Sequence, residues 1–181
     1  IERYLDSSIC LFYGEPFNDI AAMERHIVDF EGTMLFCASG LLGRERQSPD
    51  RNLVGTVALA AGYVRILEDF AKHAVRGRIA LPADMVTSYG VDKTSITSGA
   101  DSEALRDLLT ELRKSAQAKI EAASSCIQTV EPVVMPAFSH LALLRKRLRQ
   151  LERSETFTPR REPNPLVSQW KIWRAFRSQK I

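Results

Sequence analysis

Leu105, Leu108, Leu109, Leu112, Ala116, Ile120, Ala123 and Ile127 recur at the spacing of one helical face. A run of this length predicts a helix from about residue 101 to 128, capped by Asp101-Ser102. So long an apolar stripe is stable only against an equally long partner surface. The chain offers such partners. Asn18 and Asp19 cap a second helix, Ile20 to Leu42, with Ile27, Phe30, Met34, Leu35 and Ala38 at helical spacing and Gly43 at its end. Pro49-Asp50 opens a third, reaching His73 or Arg76, whose stripe is Val54, Val57, Ala58, Ala61 and Val64. Its opposite stripe is polar: Arg65, Asp69, Lys72, His73 and Arg76. Ala137 to Leu151 is a further core helix with Phe138, Leu141, Leu144, Leu148 and Leu151 inward.

The remaining stretches are joints. Residues 1–14 read as the remainder of a helix stopped by Gly14 and Pro16, and residues 77–100 as irregular, with a short helix after Pro82. No hairpin signal, internal repeat or glycine-rich phosphate loop is present. The expected fold is all-α, a single helical domain over residues 1–152. Residues 153–165 are polar and proline-bearing and read as a linker. Residues 166–181 form a short basic amphipathic helix with Trp170, Trp173 and Phe176.

The three cysteines, Cys10, Cys37 and Cys126, are odd in number, widely spaced and lie among apolar neighbours. They predict buried small hydrophobes in a reducing compartment rather than disulfides or a zinc site. The best membrane-span candidate, Val54 to Val64, is too short and is flanked by arginines. The net charge of +3 conceals an asymmetry: residues 141–181 hold eleven basic and three acidic residues, a net of +8. Such an end suits anionic lipid, diphosphate or a solvated helix face. Beyond this charge no motif supports a nucleic-acid partner.

The most specific stretch is Arg65-Ile-Leu-Glu-Asp69-Phe-Ala-Lys-His73, followed by Arg76-Gly77-Arg78-Ile79-Ala80-Leu81-Pro82 and Tyr89-Gly90-Val91. It resembles the second aspartate-rich helix of the squalene/phytoene synthase family and that family's Arg-Gly-Arg-x-x-Leu-Pro tail. Gly32-Thr33 to Gly43 resembles the family's glycine-bearing helix, and Pro136-Ala-Phe to Leu151 its late core helix. The ending Gln169-Trp170-Lys-Ile-Trp173-Arg174-Ala175 is similar to bacterial members close to mitochondrial complex I assembly factors. The resemblance implies an isoprenoid-synthase fold, long helices around a central cavity. It implies head-to-head joining of two prenyl diphosphates, with Mg²⁺ as cofactor if the protein is active. It also implies that the place of the family's first aspartate motif is upstream of residue 1, so that this motif is either cut off or absent and the N-terminal part of the fold is missing from this sequence.

Ionising an allylic diphosphate requires metal ions and basic groups around the leaving charge. Active family members carry a pattern like Gln-x-x-Asn-x-x-Arg-Asp-x-x-x-Asp on this helix. Gly62, Arg65, Glu68, Asp69 and His73 stand at those positions, and only Asp69 is kept. Asp69 and His73 are the candidate metal ligands. Asp69 also has a structural reading, as the partner of Arg65 one turn earlier. The structural reading is the favoured one, because an acid already paired with a guanidinium offers less to a dication. An Asp69–His73 acid–base couple lacks a nucleophile at recognisable spacing. Arg76, Arg78 and Tyr63 are the candidate diphosphate-binding residues; guanidinium forks match diphosphate oxygens. Loop anchoring for the arginines and core packing for Tyr63 are the alternatives.

The expectation is a divergent member without efficient synthase activity, with a prenyl-diphosphate or lipid cavity. It would work through protein or membrane contacts in the manner of complex I assembly, in the cytoplasm or mitochondrial matrix, peripheral to the membrane. The alternative is an active Mg²⁺-dependent prenyltransferase. For the tryptophan-bearing end, docking on the domain competes with lying on a membrane surface.

Overall fold

A computed structural model describes residues 2, 4, 5, 17–43, 50–158 and 164–177. Among them every regular element is helical. Helix α1 (Ile20–Ile27) starts where the Asp19 carboxylate accepts a hydrogen bond from the Ala22 amide at 2.6 Å. The chain then passes through a five-residue π stretch, Val28–Gly32, into α2 (Thr33–Leu42). The long helix expected over Ile20–Leu42 is thus interrupted by one wide turn. Met34, expected inward, faces solvent as a result, while Leu35 and Ser39 point into the protein. Ser39 satisfies its buried hydroxyl by donating to the Leu35 carbonyl at 2.8 Å.

Helix α3 (Arg51–Val75) is the axis of the fold. Asp50 caps it by accepting from the Asn52 amide. Its 25 residues rise by about 37 Å. Val54, Val57, Ala58, Ala60, Val64, Phe70 and Ala74 are buried on it. The helix ends in a left-handed turn at Gly77 (φ 70°), where the Arg78 amide donates to the His73 carbonyl and the Gly77 amide to that of Ala74. An L side chain at this φ costs about 1 kcal/mol or more, so the glycine of Arg76-Gly77-Arg78 is a helix stop.

Residues 77–100 are more regular than expected. They hold α4 (Ala83–Ser88) and α5 (Lys93–Ser98), the latter capped by Asp92 and closed by Gly99. Helix α6 (Glu103–Cys126) begins where Ser102 accepts from the Leu105 amide, and packs along α3. All eight apolar positions read from its sequence are buried. After single 3₁₀ turns at Ile127–Thr129 and Met135–Phe138, α7 (Leu141–Glu152) packs on both α3 and α6. Leu141, Leu144, Leu148 and Leu151 are its inward side chains, as expected, and Phe138 is buried too, but the helix starts at Leu141 rather than Ala137, so Phe138 comes from the 3₁₀ turn before it.

The stretch read as a linker folds back at its start. Phe157 lies 5.6 Å from the Phe70 ring, and Thr156 donates to Asp101 at 3.0 Å. Residues 159–163 lie outside the described residues. Helix α8 (Pro165–Arg177) then rests against α7. Cys37 and Cys126 are exposed, not buried, because each falls on the outer side of its helix. Cys10 and most of residues 1–14 lie outside the described residues, although residues 4 and 5 are helical and Tyr4 stacks on Phe30 at 4.9 Å. Among the described residues no helix is long and apolar enough to cross a membrane.

Candidate functional site

The polar face of α3 meets two neighbours, the π stretch and α7. Arg65 reaches Glu31 of the π stretch at 2.5 Å. The wide turn is what aims Glu31 there, since adding one residue rotates the following side chains by about 100°. Glu68, only 9% exposed, takes both prongs of the Arg147 guanidinium from α7: Nε approaches Oε1 at 2.8 Å, and the terminal nitrogen binds Oε2. Asp69 pairs with Lys72 at 3.0 Å. The expected Arg65–Asp69 pair is therefore not the one formed. Arg65 bends across the helix to an acid on another element, and Asp69 takes the cation three residues on.

This face thus carries Glu31, Glu68 and Asp69 against Arg65, Lys72 and Arg147, three charges of each sign. Burial pushes the Glu31 carboxyl up, opposed by the neighbouring Arg65 and Arg147 guanidiniums. His140 lies near enough to Arg147 and Arg65 to feel their charge. Burial, with Arg147 and then Arg65 adding to it, pushes its imidazole down, while a backbone hydrogen bond with Ala137 opposes the shift. The His73 imidazole is also held down by burial. Asp69 opposes this, while Arg78, Arg76 and Lys72 add to it.

Magnesium takes hard oxygen ligands in a near-octahedral set. Glu31 and Glu68 are each claimed by a guanidinium and Asp69 by an ammonium. His73 is a poor magnesium ligand. Among the described residues no three His, Cys, Asp or Glu side chains gather as a metal-holding group. The residues on this face do not fit a magnesium cluster.

Gly62 closes the same region sterically. A Cβ placed on it would stand 2.7 Å from Ile27 Cγ1, 3.0 Å from Ile27 Cβ and closer still to Cγ2. Helix α1 thus sinks into α3 at this notch, and Ile27 occupies the space a side chain would need.

The remaining sequence-derived candidates separate into two groups. Arg76 is exposed and Arg78 half-buried, on either side of the Gly77 turn and close to His73. Tyr63 lies on another face, buried against α1 and α6. Its hydroxyl donates to Glu24 at 2.8 Å, and Lys119 reaches the same carboxylate oxygen at 2.8 Å. Burial and Glu24 push the Tyr63 phenol well above its usual range. Glu24 is itself raised by burial, but the Lys119 and Tyr63 hydrogen bonds outweigh this and hold it low. Tyr63 therefore ties three helices together and does not join Arg76 and Arg78. The residues that sequence reasoning missed are Glu31, Arg147 and His140. The one signal for Arg147 was the acid Glu68 on a helix side that also carries core residues, which calls for a cation from elsewhere.

The family model described as squalene/phytoene synthase matches residues 4–171. No curated protein matches the chain.

Proposed function

The chain belongs to the squalene/phytoene synthase family, and from that premise we propose that it is a divergent member without efficient synthase activity. It keeps a site for a prenyl diphosphate or a lipid and acts through contacts with protein or membrane. One observation carries this reading: on the helix that resembles the second aspartate motif, both acids of the polar face, Glu68 and Asp69, are already matched by cations, and so is Glu31, which faces them from the π stretch. A dication placed there would have to displace guanidinium partners from two largely enclosed carboxylates, and breaking such a pair costs about 3–5 kcal/mol. Arg76 and Arg78, beyond the end of α3, remain suited to diphosphate oxygens through charge-assisted hydrogen bonds. The similarity of residues 169–175 to complex I assembly proteins supports a role in respiratory complex I assembly as the specific contact function.

The test is full-length protein incubated with Mg²⁺ and farnesyl or geranylgeranyl diphosphate. No squalene-like or phytoene-like product is expected, and clear product formation refutes the reading. One observation favours the active alternative. The Asp69–Lys72 pair is surface-exposed and worth only about 0–1 kcal/mol, so Asp69 is released at little cost. Native mass spectrometry with prenyl diphosphate, with and without Mg²⁺, separates the two. Binding that does not depend on Mg²⁺ supports the divergent reading, and strictly Mg²⁺-dependent binding supports the enzyme.

A further inference from the structure

Helix α8 rests on α7, and its Ser168, Lys171 and Ile172 are half-buried. Leu166, Trp170 and Trp173 lie on the opposite side of α8. Leu166 is 73% exposed, Trp170 53% and Trp173 54%. Positions 166, 170 and 173 fall within about 60° of one another on a helix turning about 100° per residue. Packing on the domain therefore leaves Trp170 and Trp173 about half exposed. Exposed tryptophan at such density is costly in water and favoured at the boundary between lipid headgroups and acyl chains.

The charges on α8 itself have one sign. Helix α8 contains no acidic residue. The Arg174 guanidinium stands over the Trp170 ring at 5.4 Å. The Lys171 amine lies beside that of Lys146 on α7, and this contact holds its pKa down. Arg145 and Arg149 are exposed on the same helix as Lys146. Two like charges held side by side repel, and an anion between them removes that cost.

We propose that the α7–α8 face docks on an anionic lipid bilayer, with Trp170 and Trp173 entering the headgroup boundary and Lys146, Lys171 and Arg174 meeting lipid phosphates. A bilayer fits better than a protein groove because two adjacent helices present cations around a central aromatic pair. That is an interfacial pattern, not an apolar stripe with a polar rim. The inference rests on the surface-contact part of the function proposed above and names its partner.

The chain has two tryptophans, both on α8, so intrinsic tryptophan fluorescence reports this face alone. Full-length protein is titrated with vesicles of phosphatidylcholine, or of phosphatidylcholine containing phosphatidylglycerol. A blue shift is expected with the anionic vesicles only, weakening as salt is raised. Lys171→Ala and Arg174→Ala each weaken vesicle binding about fivefold in co-sedimentation. Trp170→Ala/Trp173→Ala weakens it further, and all variants keep the wild-type unfolding midpoint. No binding to anionic vesicles overturns the proposal. Equal, salt-independent binding to neutral vesicles also overturns it. So does a tryptophan variant that loses a co-purifying protein while the parent ignores vesicles, since the face is then a protein interface. Synthase turnover would refute the divergent reading without moving any of these results.

Discussion

Gly62→Ala adds one methyl group where Ile27 already stands. Ordinary carbon contacts lie at about 3.5–4.0 Å, whereas the added Cβ would meet Ile27 Cγ1 at 2.7 Å. Helix α1 must therefore retreat by about 1 Å or Ile27 must leave its rotamer. Overpacking of this kind costs about 1–3 kcal/mol. Alanine also gains about 1 kcal/mol over glycine in a helix interior. Because the overlap involves atoms near the Ile27 backbone, the upper part of the range applies, and a net loss of about 1–2 kcal/mol is expected. Urea unfolding with slopes shared between variants measures it. The informative background is Ile27→Ala, which deletes the two closest atoms and leaves only Cβ, at 3.0 Å. There Gly62→Ala should be neutral or stabilising, a coupling of about 1–3 kcal/mol in the double-mutant cycle. If Gly62→Ala is harmless in the parent, or has the same effect in both backgrounds, the notch is not closed by Ile27 and the steric argument fails. Gly62→Gln, which restores the family residue, should be worse than alanine in the parent for the same reason.

Arg147→Ala removes the guanidinium that holds the largely enclosed Glu68 carboxylate and should cost about 3 kcal/mol in denaturant unfolding, while Glu68→Leu/Arg147→Leu should cost far less. All three histidines have folded pKa values pushed below their usual value, chiefly by burial. The unfolded chain therefore binds more protons as pH falls through about 6.5, and stability drops from there down to the folded pKa values. The thermal midpoint should fall on acidification in that window, and His140→Gln should flatten the fall. Arg76→Ala and Arg78→Ala should each weaken prenyl diphosphate binding about tenfold or more by calorimetry if these residues hold the diphosphate. Unchanged affinity would make them loop anchors.

Much of the scaffold was readable from periodicity and caps. The inward faces of α6 and α7 follow from leucines at helical spacing, and Asp19, Asp50 and Ser102 cap helices as their residue types demand. Helix α5 was missed because only Ile96 of its six residues is buried, leaving no stripe to see. Its capping Asp92 and closing Gly99 were the available signals. The candidate site was harder. Arg65, Glu68, Asp69 and His73 were found as departures from a motif, but their partners are set by tertiary packing. Arg147 is 79 residues from Glu68. Local spacing favoured an Arg65–Asp69 pair worth a few tenths of a kcal/mol. The fold instead supplied Glu31, a better enclosed acid.

The wide turn at Val28–Gly32 is what a single inserted residue leaves in an otherwise continuous rod. It lets the rod's two ends be phased independently: Met23 and Ile27 face inward on one side of it, Leu35 and Ser39 on the other. Excising one residue from this segment would wind the rod into unbroken α-helix. Glu31 would swing away from Arg65, and one of the two ends would have to present its polar side to the interior. The insertion is therefore locked in by everything on both sides of it, and length changes should be tolerated in the joints between helices but not here.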